Sequence, residues 1–207
     1  MFLKDKKMII GLGIALVIFA IALFCIWQNN AIVIIQINYT NTKIPQAFEG
    51  YTVVQISDLH NKAFGNNQEH LLKKIKDVSP HIIVITGDLI DRRKYDLDMA
   101  MVFINGAMEI APVYYVSGNH EAWSGDYKNI RQRLQSGGVQ ILDDHKVELV
   151  KDGGIIEILG LSDPDFSTFN YIDGTNTSNL KEKLIGMSDD SAFQILLSHR
   201  PELLTYM

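Results

Sequence analysis

One cysteine, five prolines and no repeat or low-complexity tract in 207 residues exclude a disulfide-built, collagen-like or disordered chain. Basic residues are too few for a nucleic-acid footprint: 19 Lys and Arg face 24 Asp and Glu, a net charge of −5. Apolar residues are plentiful instead, at 47%, enough for one domain with a proper core.

Charge is missing altogether from Met8 to Trp27. Twenty apolar residues at helical rise cross a bilayer. Lys4, Lys6 and Lys7 precede the run with only Asp5 against them, and no charge follows until Lys43. The positive-inside rule then keeps the N-terminus cytoplasmic and predicts the remainder outside. A cleaved signal peptide is the competing reading, but the run exceeds the usual apolar core of about 7–15 residues and lacks a small-x-small cleavage site. Cys25 is a poor lipidation site after Ala22 and Phe24, and the basic start holds no twin arginine. The predicted organisation is a basic N-terminus at 1–7, a transmembrane anchor at 8–27, a linker and first strand at 28–44, and a domain at 45–207. Without residues 4–7 the charge is −7, so that domain should avoid anionic lipid and DNA.

Beyond residue 31 the pattern alternates between strand and helix. Ile32 to Asn38 and Thr52 to Ser57 are β-branched apolar runs. Asn66 to Val78 places Leu71, Leu72 and Ile75 on one helical face and Lys73, Lys74 and Lys76 on another, and Ser79-Pro80 ends it. His81 to Thr86 is almost wholly apolar, the pattern of a strand covered on both faces. A helix follows at Asp96 to Ile110, a strand at Val113 to Ser117 and a polar helix at Asp126 to Leu134. Further strands are predicted at Val139 to Leu142, Val147 to Val150, Ile155 to Leu159 and Phe193 to Ser198, with a weak helix at Asn179 to Ile185. Gly153-Gly154 is a hairpin signal, and Pro201 opens another helix. This order predicts an α/β layered domain with mixed sheets.

Polar residues fall just past the strand ends. Asp58 and His60 follow one strand, Gly87-Asp88 a second, Gly118-Asn119-His120-Glu121 a third and His199 a fourth. In an open α/β sheet such ends meet in one crevice. A single Asp there is usually a turn or cap residue. Four loops carrying carboxylate, imidazole or amide oxygen make the set that suits Zn, Mn or Fe. His70, His81 and His145 lack such company and read as non-sites, and Asp163-Pro164-Asp165 reads as a turn. Arg92-Arg93 could reach a phosphate, but a solvated loop is the plainer reading.

These residues resemble the calcineurin-like metallophosphoesterase superfamily. Its D-x-H motif is Asp58-Leu59-His60, its GDxxD motif Gly87-Asp88-Leu89-Ile90-Asp91, its GNHE motif Gly118-Asn119-His120-Glu121, and its lone later His is His199. Wording from Ile56 to Asn61 and from Leu197 to Pro201 looks like the membrane-anchored bacterial branch, over residues 45 to 207. The resemblance implies an α/β/β/α sandwich and two divalent ions, Mn, Fe or Zn. Asp58 and His60 would hold the first ion, Asn119 and His199 the second, and Asp88 would bridge them. His120 would stabilise the transition state or protonate the leaving oxygen. Asp91 and Glu121 would orient ligand imidazoles or simply open helices.

The family's closing motif, Gly-His-x-His, is not among these residues, which run only to Met207. Each ion would then have three protein ligands, and the apolar faces of Ile195, Leu196 and Leu197 would lie open. The expectation is a C-terminally incomplete domain whose activity in this form is doubtful. Its function reads as metal-dependent hydrolysis of a phosphate mono- or diester at the outer face of the cytoplasmic membrane. A lipid-linked or cell-envelope phosphate ester is the favoured partner. The alternative is a membrane-tethered binding domain that keeps the fold without turnover.

Overall fold

The computed structural model describes residues 2–166, 175–188 and 191–206. Two compact units divide at residue 38. The first contains one helix, α1 (Phe2–Asn30), whose stretch Lys6–Asn30 is long and apolar enough to cross a membrane and is unburied throughout. Residues 31–40 carry no strand, contrary to the strand expected at Ile32 to Asn38. Val33, Ile35 and Ile37 stay exposed. β-branched residues favour a strand only where a neighbour offers a ladder to join.

The second unit begins at Tyr39. Its parallel sheet is formed by β1 (Val53–Ile56), β2 (Ile82–Thr86), β3 (Val113–Val116) and β4 (Gln140–Ile141), in that spatial order. The helices between are α2 (Glu69–Val78), α3 (Leu97–Met108), α4 (Asn119–Trp123) and α5 (Tyr127–Ser136). A second sheet contains β5 (His145–Lys151), β6 (Gly154–Gly160) and β7 (Phe193–Leu197), with β5–β6 antiparallel and β6–β7 parallel. α6 (Thr175–Met187) lies between β6 and β7 in the chain. Two sheets and their helices give the layered α/β architecture expected, although the first sheet is wholly parallel rather than mixed.

Local chemistry accounts for most element ends. α2 buries Leu71 and Ile75. It stops where Ser79, left-handed at φ 53°, donates its N–H to the Lys76 carbonyl ahead of Pro80. The expected single helix from Asn66 is broken, because Asn67 and Gln68 are left-handed and leave a 3₁₀ turn before α2. Asp96 caps α3 by accepting the Met99 N–H at 2.9 Å. α4, unforeseen from sequence, is five residues long, too short for periodicity to register.

β2 is buried at every position, and its side chains alternate between two packed faces. Ile82 and Val84 join Tyr114, Val116 and Leu142 against Ile158 and Leu197, so the main core lies between the sheets. Ile83, Ile85 and Tyr115, on the other face of the first sheet, have no exposure at all. Each such side chain contributes about 1.5–3 kcal/mol relative to exposure. The second sheet's far face packs Leu196 with Leu161, Leu180 and Leu203. Leu197 is therefore buried and Ile195 and Leu196 are partly covered, correcting the expectation of open apolar faces.

Candidate metal centre

Parallel strands point their C-terminal ends one way, so the loops after β1, β2 and β3 converge. Their backbones are held in unusual shapes. Asp58, His60, Asn61 and Asp88 all have φ between 48° and 57°. The left-handed region costs a non-glycine residue of order 1–3 kcal/mol and persists only where surroundings over-determine it. Here backbone N–H groups of Asp58, His60 and Asn61 donate to the carbonyls of Gly87, Asp88 and Leu89 at 3.0–3.2 Å, lacing the two loops together.

Asp88 lies at the centre, 3% exposed. Its Oδ2 is 3.5 Å from both His60 Nε2 and His199 Nε2, and its Oδ1 accepts the His120 N–H at 2.8 Å. Asp58 Oδ1 is 3.6 Å from His60 Nε2. Two overlapping groups of ligand atoms result, each within 4.8 Å: His60, Asp88 and His120, and Asp58, Asp88 and His199. Asn119 completes the second group's neighbourhood, with Oδ1 3.0 Å from His199 Nε2. All five residues expected from sequence thus come together around the shared Asp88, but the grouping differs from the expected one, with Asp58 beside His199 and His60 beside His120. His120 also comes within ligand range, which sequence reasoning did not anticipate.

Glycine is required twice here. A Cβ at Gly118 would sit 2.3 Å from Asp88 Oδ1, and one at Gly87 would meet both the Gly118 backbone and the His199 ring at 2.7 Å. Gly87 is also left-handed at φ 86°.

The donor set fits divalent cations on its own chemistry. His199 Nδ1 is 2.8 Å from the Thr86 carbonyl, which orients Nε2 toward Asp88 and Asn119. Burial works against a charge on His199, yet Asp88 and the Thr86 carbonyl raise its pKa to about 9. Burial pushes Asp88 up, but hydrogen bonds from His199 and His120 bring it below the ordinary carboxylate value. His60 Nδ1 and Asn61 Oδ1 are buried without a partner.

Of the two roles open to Glu121, the structure shows the helix-start carboxylate, at the third position of α4, and not an imidazole partner. Fully buried, it accepts the backbone N–H of Gly118 at 2.8 Å, Asp88 at 2.9 Å and Ile90 at 3.1 Å. Burial raises its pKa despite those donors. Asp91 does face an imidazole, with Oδ1 3.5 Å from His120 Nδ1. That same nitrogen accepts the Arg92 N–H at 3.2 Å. Burial lowers the His120 pKa. The Arg92 guanidinium rests 4.4 Å over the Trp123 ring.

The histidines read as non-sites keep apart. His81 accepts the Thr52 N–H and stacks on Tyr51, His145 bonds the Asp143 carbonyl, and His70 is largely exposed. Asp163-Pro164-Asp165 is more than a turn, because both carboxylates bind Arg200.

A parallel α/β sheet whose strand-end loops gather Asp, His and Asn around a shared carboxylate is the architecture of a metal-dependent hydrolase. The profile of the calcineurin-like phosphoesterase family matches residues 51–205, and the chain belongs to that family of phosphoester hydrolases. It is 26% identical over 203 residues to an uncharacterized metallophosphoesterase of Campylobacter jejuni, covering 96% of this chain and 52% of that protein. It is also 26% identical over 167 residues to a transmembrane protein with metallophosphoesterase domain of Bos taurus, covering 77% of this chain and 37% of that protein. Among solved structures, NAD nucleotidase of Haemophilus influenzae aligns with a TM-score of 0.47 and 17% identity, over 75% of this chain and 35% of that one. The chain spans about half the length of the bacterial relative.

Proposed function

We propose that this domain hydrolyses a phosphate mono- or diester with two divalent cations, of Mn, Fe or Zn, at the outer face of the cytoplasmic membrane. The observation that carries the reading is Asp88: one buried carboxylate belongs to both groups of ligand atoms. In this reading Asp58 and His60 hold the first ion, Asn119 and His199 the second, and Asp88 both. Bound there, the ions supply a hydroxide at neutral pH and a clamp for phosphoryl oxygens.

His120 is the candidate catalytic residue. With Nδ1 accepting the Arg92 N–H, the neutral ring carries its proton on Nε2. The neutral ring can hydrogen-bond a phosphoryl oxygen through that atom, and the protonated ring, stabilised by Asp91 beside Nδ1, can give its proton to the leaving oxygen.

The location is supported by the apolar run in α1 and by Lys4, Lys6 and Lys7 ahead of that run. A lipid-linked or cell-envelope ester suits an enzyme held to that surface. The test uses the detergent-solubilised chain with Mn²⁺ or Zn²⁺ and bis-p-nitrophenyl phosphate. Metal-dependent release of nitrophenol, abolished by Asp88→Asn, is expected. Metal binding with no hydrolysis of this diester or of the monoester would favour a tethered binding domain instead. Protease added to wall-free cells should digest residues 45–207, and protection would reverse the orientation.

A further inference from the structure

Beneath the metal centre runs a second tier of carboxylates, on loops that supply none of its ligands. Asp163, just past β6, has a fully buried side chain. Its Oδ2 accepts Arg200 Nε at 2.8 Å and its Oδ1 accepts the Asp165 N–H at 2.9 Å. Arg200 Nη2 donates to Asp165 Oδ2 at 2.9 Å, so one planar fork spans two carboxylates. Arg200 directly follows His199. The imidazole is therefore fixed from two directions, by the Thr86 carbonyl of the first sheet and by this clamp on its neighbour.

The Asn119 side has its own anchor. Asp143, just past β4, accepts both the backbone N–H and the hydroxyl of Ser117, at 2.8 and 2.9 Å, and the hydroxyl of Tyr127. Ser117 is two residues before Asn119. The adjacent Asp144 accepts the Ser162 N–H and hydroxyl and Lys183 Nζ, and Ser162 precedes Asp163. Hydrogen bonds and short stretches of backbone thus alternate along a line from Asn119 through Asp143, Asp144 and Asp163 to His199. These two residues follow strands of different sheets and meet directly, Asn119 Oδ1 lying 3.0 Å from His199 Nε2, so the loops that carry them must be held in register.

We infer that Asp163 and Asp143 are positioning residues for the second cation, holding Asn119 and His199 at ligand separation across the two sheets through Arg200 and Ser117. The inference rests on the two-cation reading above. Neither carboxylate touches an ion; each fixes the backbone that carries a ligand. Removing such an outer partner lowers metal affinity by about 10–100-fold.

The test titrates the detergent-solubilised full chain with Mn²⁺ and follows it by electron paramagnetic resonance. Wild type should bind two ions and show the spectrum of a spin-coupled pair. Asp163→Asn, Asp143→Asn and the conservative Arg200→Lys should each weaken the second ion about 10–100-fold, hold the first within about threefold, and replace the pair spectrum by that of an isolated ion. Asp165→Asn leaves the Arg200 Nε bond in place and should lose less. Lys146→Ala serves as the control, because it breaks a comparable pair with buried Glu157, 2.7 Å long, away from this line. It should lower thermal stability and leave both affinities unchanged. Equal weakening of both ions by Arg200→Lys, no weakening of either, or the same second-ion loss in Lys146→Ala would overturn the positioning role. A wild type that binds fewer than two ions would overturn the two-cation reading itself, whatever the variants do.

Discussion

Glu121 Oε2 accepts the backbone N–H of Asp88 at 2.9 Å, so the shared carboxylate of the metal centre takes its place from a side chain 33 residues further along. The same oxygen accepts the Gly118 N–H, and the other accepts that of Ile90. Three donors converge on one buried carboxylate, and a charged acceptor satisfies them all.

Glu121→Gln should therefore be costly despite its matching shape. Whichever way the amide turns, its NH₂ faces a backbone donor in a fully buried site. A loss of about 1–3 kcal/mol is expected in chemical denaturation, with weaker metal retention. An unchanged unfolding midpoint would contradict it.

Asp88→Asn should strip both ions and nearly all hydrolysis of an aryl phosphate diester, whereas His120→Ala should keep the metals and lose about 10²–10⁴-fold in rate. Elemental analysis separates the two variants. Two metals still bound per Asp88→Asn chain would remove the bridging role.

Glycine substitutions should divide sharply by place. Gly118→Ala puts a methyl 2.3 Å from Asp88 Oδ1 and should abolish metal binding. Gly186, in α6, has nothing within 4 Å of its would-be Cβ. Gly186→Ala should raise stability by about 0.5–1 kcal/mol with activity untouched. Thermal melts and metal titration of both proteins make the comparison.

Acid should loosen the link between Asp144 and α6. Burial acts to raise the Asp144 pKa, but Lys183 and Ser162 together hold it below the ordinary carboxylate value. A depressed folded pKa gives stability that is fully present above the unfolded value and lost as pH falls through the folded one. Wild type should thus lose its advantage over Asp144→Asn as pH drops from about 5 toward 2. The check is denaturation of both proteins across that range; parallel curves would contradict the assignment.

How far the sequence could be read depended on periodicity and on position. Asp58, His60, Asp88, Asn119 and His199 were legible because each follows an apolar strand, and strand ends meet. His120 as a neighbour of His60, at 4.4 Å between ring centroids, was not, since only the backbone turn at Gly118 brings the rings together. Asp143 follows the fourth parallel strand, foreseen at Val139 to Leu142, and obeys the same positional rule, a signal that was available but not taken as a site. Glu121 and Asp163 act through hydrogen bonds to backbone and to Arg200, and such bonds leave no spacing in the sequence. The division into two sheets was expected from the family resemblance alone, because alternation reports a strand and says nothing about which neighbour it joins.

Left-handed backbone at Asp58, His60 and Asn61 has a further consequence for portability. Those three residues hold their bend because carbonyls of the next loop accept their N–H groups. Grafted onto another scaffold or cut out as a peptide, Asp58-Leu59-His60 would relax to extended or right-handed shapes and let its carboxylate and imidazole part. The affinity of the motif for a cation is thus a property of the neighbouring strand's loop as much as of its own letters, and the smallest transplantable unit is the pair of loops.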